Sequence, residues 1–287
     1  MIPAAFDYHR PRSLADAIKL LGSTPDARPL AGGHSLLPMM KLRLATPPAL
    51  VDLAAIEELR GIAKDGGRIV IGATTTQHEI IASPVLAEAL PILGETARQV
   101  ADPQVRYLGT LGGNVANGDP GNDMPAVMLC LDATYRLAGP RGQRSVKARA
   151  FYQGTYQTAL QPGEILTHVE IPLPPAGQGQ AYEKLKRKVG DYATAAAAVT
   201  LTKAGGRVSA CAIALTNLGP TVLLAGAAAA GVVGKALEAA TLKAAAKAAE
   251  AIMEPAADGR GTVAYRKHAG GVMVTRALQS AFARARG

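Results

Sequence analysis

Apolar residues recur along this chain at two different periods. Over Ser13-Leu-Ala-Asp-Ala-Ile-Lys-Leu-Leu21, the residues Leu14, Ala17, Ile18 and Leu21 share one helical face behind an N-cap serine with an acid three positions on, which predicts a helix closed by Gly22. Arg28–Ala31 reads as a short buried strand, His34–Leu42 as a short helix started or broken near Pro38, and Ala49–Leu53 as a second strand. Residues 1–55 therefore form a small α/β unit. Gly61–Lys64 and Arg68–Ile71 flank Asp65-Gly66-Gly67, a hairpin signal, and a second hairpin is predicted from Tyr135–Leu137 and Ser145–Val146 around Gly139-Pro140-Arg141-Gly142. Between the hairpins, Thr76–Ser83 and Val85–Ala101 show helical periodicity punctuated by Pro84 and Pro91, and Pro103 ends the series. Ile165–Ile171 is the last strand before Pro172-Leu-Pro-Pro-Ala-Gly-Gln-Gly179, the one convincing linker. Beyond it alanine dominates, with strand-like runs at Ala181–Val189 and Val208–Thr216 and helical runs at Lys235–Met253 and Tyr265–Ala285. The pattern predicts an α+β protein in two parts, 1–175 (divided near 55) and 180–287, the second with an antiparallel sheet backed by helices.

Two glycine-rich stretches interrupt this pattern. Leu30-Ala31-Gly32-Gly33-His34-Ser35-Leu36-Leu37 follows a strand and enters a helix, and Thr110-Leu111-Gly112-Gly113-Asn114 opens a longer polar run that ends in an apolar segment, Ala126 to Leu131. Glycines allow positive φ and close approach of another group, and successive free N–H groups in such loops form anion-sized nests. A Gly-Gly pair alone is more often a tight turn. Two of them suggest two walls of one site, for which a diphosphate bridge is a natural guest.

Composition and charge narrow the classes. No uninterrupted apolar run reaches the roughly 20 residues of a membrane span, and Asp7, His9 and Arg10 beside Pro3 do not follow the plan of a signal peptide. Cys130 and Cys211, the only cysteines, lie in apolar segments and read as buried free thiols, too few for an iron–sulfur cluster or a structural zinc. Residues 1–179 carry 16 Lys+Arg against 16 Asp+Glu, whereas 180–287 carry 15 against 6, so the net charge of +9 belongs to the last third and points to an acidic partner there.

The common nucleotide motifs are missing. No Gly-x-Gly-x-x-Gly stands between a strand and a helix, Gly177-Gln178-Gly179 lies in the linker, and Gly234-Lys235 lacks the rest of a P-loop, so any nucleotide sits on a non-Rossmann scaffold. Asp119 and Asp123 lack the alternating acids of a calcium loop; helix capping, by Asp123 for the helix through Leu131, or bonding to ribose hydroxyls suits them better. Lys184-Leu-Lys-Arg-Lys188 resembles a nucleic-acid patch, but strand alternation splits its charge between two faces and aromatic neighbours are few. No nucleophile–base pair, carboxylate pair or metal triad presents itself, so no catalytic or metal-ligating residue is assigned, and His34 has no acidic or hydroxyl partner in view.

Ala31-Gly-Gly-His-Ser35, followed about eighty residues later by Thr110-Leu-Gly-Gly-Asn114, resembles the paired FAD-diphosphate loops of the flavoprotein subunits of molybdenum hydroxylases, the xanthine dehydrogenase and CO dehydrogenase family. The continuation Asn117-Gly-Asp-Pro-Gly-Asn-Asp-Met-Pro125 and the stretch Lys184 to Ala195 bring it nearest to the CO dehydrogenase branch, and the similarity runs from Phe6-Asp-Tyr-His-Arg-Pro11 to the C-terminal helix. The resemblance implies a two-part FAD-binding domain of the vanillyl-alcohol-oxidase-like (PCMH) type followed by a smaller α+β domain. It implies non-covalent FAD contacts from Ala31, Gly32, Gly33, His34, Ser35, Leu36, Ala101, Thr110, Leu111, Gly112, Gly113, Asn114, Asp123, Leu166 and Lys184, with Tyr192 against the ring system. It further implies an electron carrier in CO oxidation, with the molybdenum cofactor in a large subunit and 2Fe-2S clusters in a small one, assembled as a dimer of heterotrimers. Such a complex is cytoplasmic, at most peripheral to the inner membrane face, and passes electrons to a quinone or other respiratory acceptor. Two alternatives stand beside this expectation: the same kind of subunit serving an N-heterocycle or aldehyde hydroxylase, and, from a different class, a basic nucleic-acid-binding module.

Overall fold

A computed structural model describes all 287 residues. The chain opens with β1 (Asp7–His9), α1 (Leu14–Ser23), β2 (Arg28–Leu30), α2 (Leu36–Lys41) and β3 (Ala49–Asp52). The strands form a parallel sheet in the order β1-β3-β2, and Ser13 caps α1 by accepting the Asp16 N–H at 3.1 Å. Only the central strand is buried. Arg28 and Pro29 of β2 are exposed, contrary to the buried strand expected, because β2 is an edge where a proline forfeits no ladder bond.

The middle of the chain forms a five-stranded antiparallel sheet, ordered β4-β5-β10-β6-β7, from β4 (Ile62–Asp65), β5 (Arg68–Gly72), β6 (Thr134–Gly139), β7 (Gly142–Lys147) and β10 (Ile165–Pro172). A small hairpin, β8 (Tyr152–Gly154) and β9 (Gln157–Thr158), precedes β10. Six short helices fill the crossover from β5 to β6: α3 (Gln77–Ala82), α4 (Pro84–Ala89), α5 (Pro91–Gln99), α6 (Pro103–Leu108), α7 (Leu111–Ala116) and α8 (Asp123–Cys130). Pro84, Pro91 and Pro103 each start a helix instead of ending one, since the first helical position needs no N–H and φ is already set. The second glycine stretch is likewise part helix, with Gly112 and Gly113 in the first turn of α7.

The last part is a four-stranded antiparallel sheet of β11 (Gly179–Leu185), β12 (Ala195–Ala204), β13 (Arg207–Thr216) and β14 (Leu223–Leu224), followed by α9 (Gly226–Val232), α10 (Ala239–Glu250) and α11 (Val263–Arg284). Alanine is a poor strand former, yet β12 is central. Its alternation explains why: Ala195, Ala197, Val199 and Leu201 pack into the core that contains α11, while Ala196 and Ala198 pack into the core that contains α8. Side chains this small let a helix approach each face of the strand. The C-terminal sheet therefore closes the core of the preceding part, and the two parts share apolar packing. The architecture is the two-part, non-Rossmann α+β arrangement expected. No helix is long and apolar enough to cross a membrane.

Candidate functional site

The first glycine loop leaves β2 and enters α2. Gly33 has φ +75°, and a Cβ on Gly32 would collide with the Leu108 carbonyl and stand 2.7 Å from the Gly109 Cα, so this loop lies hard against the segment that leads into α7. The consequence for hydrogen bonding is specific: none of the backbone N–H groups of Ala31, Gly32, Gly33, His34, Ser35 and Leu36 has an acceptor in the protein. Six consecutive unspent donors, with His34 and Ser35 exposed, make a cradle for an acceptor-rich, negatively charged group.

The second loop differs from the expectation of a second free nest. Leu111 N–H donates to the Thr75 carbonyl at 2.9 Å, Gly112 N–H to Ala73 at 2.8 Å, Gly113 N–H to the capping Thr110 Oγ1 at 3.0 Å and Asn114 N–H to the Thr110 carbonyl at 3.0 Å. These amides are committed because the stretch is the first turn of a helix docked on the end of β5. The contribution of this wall is shape. A Cβ on Gly113 would lie 3.8 Å from the Ala31 methyl, which brings the two loops face to face, and Asn114 Oδ1 is buried without a partner. Leu166 is buried in β10 beside Thr167, whose carbonyl accepts the Ala73 N–H, so it backs the strand end on which α7 rests.

A cleft of about 340 Å³ opens between the loops, lined by Ala31, Leu108 and Thr110 together with Arg60, His78 and Tyr107. The last three were not visible in the sequence, where no motif marks them. Arg60 donates to the Ala54 carbonyl at 2.5 Å, and the His78 and Tyr107 rings stack with centroids 4.1 Å apart. A second depression of about 350 Å³, between α1 and the β6–β7 hairpin, has no comparable row of free donors.

Asp123 does not cap α8, as the sequence suggested. It is the first residue of that helix, after Asn122, and its carboxylate turns inward: Oδ2 accepts from Lys184 Nζ at 2.7 Å and Oδ1 from the Tyr182 hydroxyl at 2.6 Å. Lys184 also donates to the Gln99 carbonyl at 3.2 Å, and both charged side chains are almost fully buried. Burial pushes the Asp123 carboxyl up from its ordinary value, opposed by the Lys184 ammonium and the Tyr182 hydroxyl. The pair ties α8 to β11, which accounts for Lys184 within the basic run; Arg187 and Lys188, past the strand end, are exposed. Asp119 accepts the Gly121 N–H at 2.8 Å and the Tyr156 hydroxyl at 3.1 Å.

Ala101, between α5 and α6, has φ +42° and accepts from Arg106 Nη1 at 3.1 Å. It faces the loop after β11, since a Cβ on Gly190 would lie 3.6 Å from the Ala101 carbonyl carbon. Tyr192 in that loop is 43% exposed, with its ring against Gly121. Of the expected residues, the first loop and α7 face each other, with Ala31 and Thr110 lining the cleft, whereas Asp123 and Lys184 are buried between α8 and β11 and Leu166 lies in the core. Cys130 and Cys211 are free; Cys130 is buried as expected but Cys211 only half-buried, and burial pushes the Cys130 thiol up and the Cys211 thiol up to about 12. No three His, Cys, Asp or Glu side chains are grouped to hold a metal ion.

Comparison with known proteins identifies the family. The family model for the FAD binding domain in molybdopterin dehydrogenase matches residues 4–174, and that for the CO dehydrogenase flavoprotein C-terminal domain matches 180–281. The carbon monoxide dehydrogenase medium chain of Afipia carboxidovorans is 59% identical over 100% of both chains, and that of Hydrogenophaga pseudoflava 50% identical over 99% of both. A solved structure of a Cu,Mo-CO dehydrogenase in its cyanide-inactivated form superposes with a TM-score of 0.98 at 59% identity, covering 99% of this chain and 100% of that one. With a family model over more than half its length and relatives this similar from end to end, the chain belongs to the family of FAD-binding medium subunits of the molybdopterin dehydrogenases.

Proposed function

We propose that this chain is the FAD-binding, electron-relaying subunit of an aerobic carbon monoxide dehydrogenase, an oxidoreductase that oxidises CO with water to CO2. The CO substrate rests on the full-length similarity to two CO dehydrogenase medium chains. The cofactor site rests on the run of unspent amides from Ala31 to Leu36.

The residues fit the group they would hold. The amides of Ala31, Gly32, Gly33, His34, Ser35 and Leu36 receive the diphosphate oxygens, and Thr110, Leu111, Gly112, Gly113 and Asn114 form the opposite wall. Ala101 and Leu166 supply apolar contacts. The Asp123–Lys184 pair holds α8 against β11, and Tyr192 covers the ring system and keeps water from it. Bound FAD would supply the redox chemistry, taking electrons singly and releasing them in pairs. The division into a cofactor part, 1–175, and a C-terminal part, 180–287, belongs to the same reading and is supported by the limits of the two family matches.

The partners are an iron–sulfur subunit that delivers electrons and a molybdenum subunit that holds the substrate site, arranged as a dimer of heterotrimers in the cytoplasm, with a quinone or other respiratory acceptor downstream. The basic C-terminal part offers one interface, its charge steering register more than affinity. Purification from the native source tests this reading: the chain should emerge yellow, in complex with both partners. Recovery as a flavin-free chain with no partner, or bound to nucleic acid, contradicts it.

A further inference from the structure

Tyr192 is held by more than its own loop. Its ring lies so close to Gly121 that a Cβ there would be 2.9 Å from Tyr192 Cδ1, and the Arg260 guanidinium carbon stands 5.8 Å from the ring centroid. The preceding residue, Asp191, has a side chain only 8% exposed. Its Oδ1 accepts the Tyr192 N–H at 2.9 Å and Arg260 Nη2 at 3.4 Å, and its Oδ2 accepts Arg187 Nε at 2.9 Å. Arg260 is anchored in turn by Asp258 at 2.8 Å, and Arg187 Nη1 reaches back to the Gly259 carbonyl at 3.0 Å. One carboxylate thus joins two loops that are far apart in sequence and fixes the peptide from which the Tyr192 ring projects.

We propose that Asp191 and Arg260 are positioning residues for the flavin, holding Tyr192 against Gly121 so that the fixed orientation of the ring, beyond its presence, determines how firmly the isoalloxazine is bound. This rests on the reading of Tyr192 as a flavin contact. An aromatic ring free to turn must lose that freedom when the cofactor binds, whereas one locked beforehand loses little. Arg260 has a second effect, since its positive charge beside the ring adds a cation–π contact that glutamine lacks and lysine retains in part.

The test uses the assembled complex with Arg260→Gln, Arg260→Lys, Asp191→Asn and Tyr192→Ala in this chain, measuring the FAD dissociation constant and the visible circular dichroism of the bound flavin. Arg260→Gln and Asp191→Asn should weaken FAD binding about two- to tenfold and move the dichroism toward that of Tyr192→Ala, with Arg260→Lys between Arg260→Gln and the unsubstituted complex. If Tyr192→Ala changes both readouts while Arg260→Gln and Asp191→Asn change neither, the positioning role is wrong and the flavin contact stands. If Tyr192→Ala changes neither, the flavin contact fails and this proposal with it. Should Asp191→Asn not assemble, the Arg260 variants decide alone: equal affinity for arginine, lysine and glutamine overturns the proposal.

Discussion

Replacing Gly113 with valine separates cofactor binding from folding. An added Cβ meets only the Thr110 hydroxyl, at 2.9 Å, and the Ala31 methyl, at 3.8 Å, with no backbone in the way. Gly113 is exposed and lies in the first turn of α7, where valine is a few tenths of a kcal/mol more favourable than glycine. Displacing the Thr110 hydroxyl from the Gly113 N–H costs about 1 kcal/mol of capping. The net loss is below about 1 kcal/mol, which in a chain of this size lowers Tm by only a few degrees. The cofactor fares worse, because the two γ-carbons enter the gap between Ala31 and α7 and push a diphosphate off the free amides. Two lost charge-assisted hydrogen bonds, at about 1.5 kcal/mol each, correspond to an affinity loss on the order of a hundredfold. The assay is the flavin content of the purified complex alongside its melting curve. A variant complex with its full complement of FAD would refute the two-wall site, and one that fails to fold would refute the local packing argument.

Other consequences can be checked on the same complex. Lys184→Met leaves the Asp123 carboxylate buried and unpaired, and should cost about 3 to 5 kcal/mol in chemical unfolding; a loss below about 1 kcal/mol would mean that the pair does not fasten α8 to β11. The Glu164 carboxyl is held below its ordinary value chiefly by its hydrogen bond from Arg144. Its stabilising contribution is therefore complete above the ordinary carboxyl range and lost as pH falls through the lowered folded-state value. Since the Arg144 side chain is 36% exposed, Glu164→Gln should cost only about 1 kcal/mol at neutral pH, with the gap to the native protein closing in acid; a gap that does not vary with pH argues against the ion pair. Gly32→Ala, unlike Gly113→Val, puts a methyl into the Leu108–Gly109 backbone, so both flavin content and Tm should fall; an unchanged Tm would show that the loops part easily.

The sequence carried the glycine loops, both hairpins and the main C-terminal helices, because each has a local signature: Gly-Gly after a strand, Asp-Gly-Gly between alternating runs, apolar residues at helical spacing. What it hid depends on tertiary contact. Ala195–Ala204, to which the sequence pattern assigns no element, is a central strand because its alternating small side chains fill two cores. Asp123 carries a helix-capping signal and instead pairs with Lys184, a partner 61 residues away that no local pattern reveals. Gly112 and Gly113 promise free amides, but helix and strand-end bonds consume them, and the donors that remain free belong to the first loop. Arg60, His78 and Tyr107 reach the cleft from three separate segments, and Arg260 reaches Tyr192 from a fourth. Such convergence leaves no motif to read.

The central claim is that this chain binds FAD and passes on electrons that begin at a molybdenum site elsewhere in the complex. Anaerobic addition of CO to the intact complex, followed by the visible flavin absorbance, tests it most directly. The account predicts that the flavin band bleaches with CO in the complete complex, and that no bleaching occurs once the iron–sulfur and molybdenum subunits are removed and FAD is supplied to this chain alone. Bleaching of FAD by CO on the isolated chain, or a complete complex that oxidises CO when acceptor is present but whose flavin stays oxidised after anaerobic addition of CO, would contradict it.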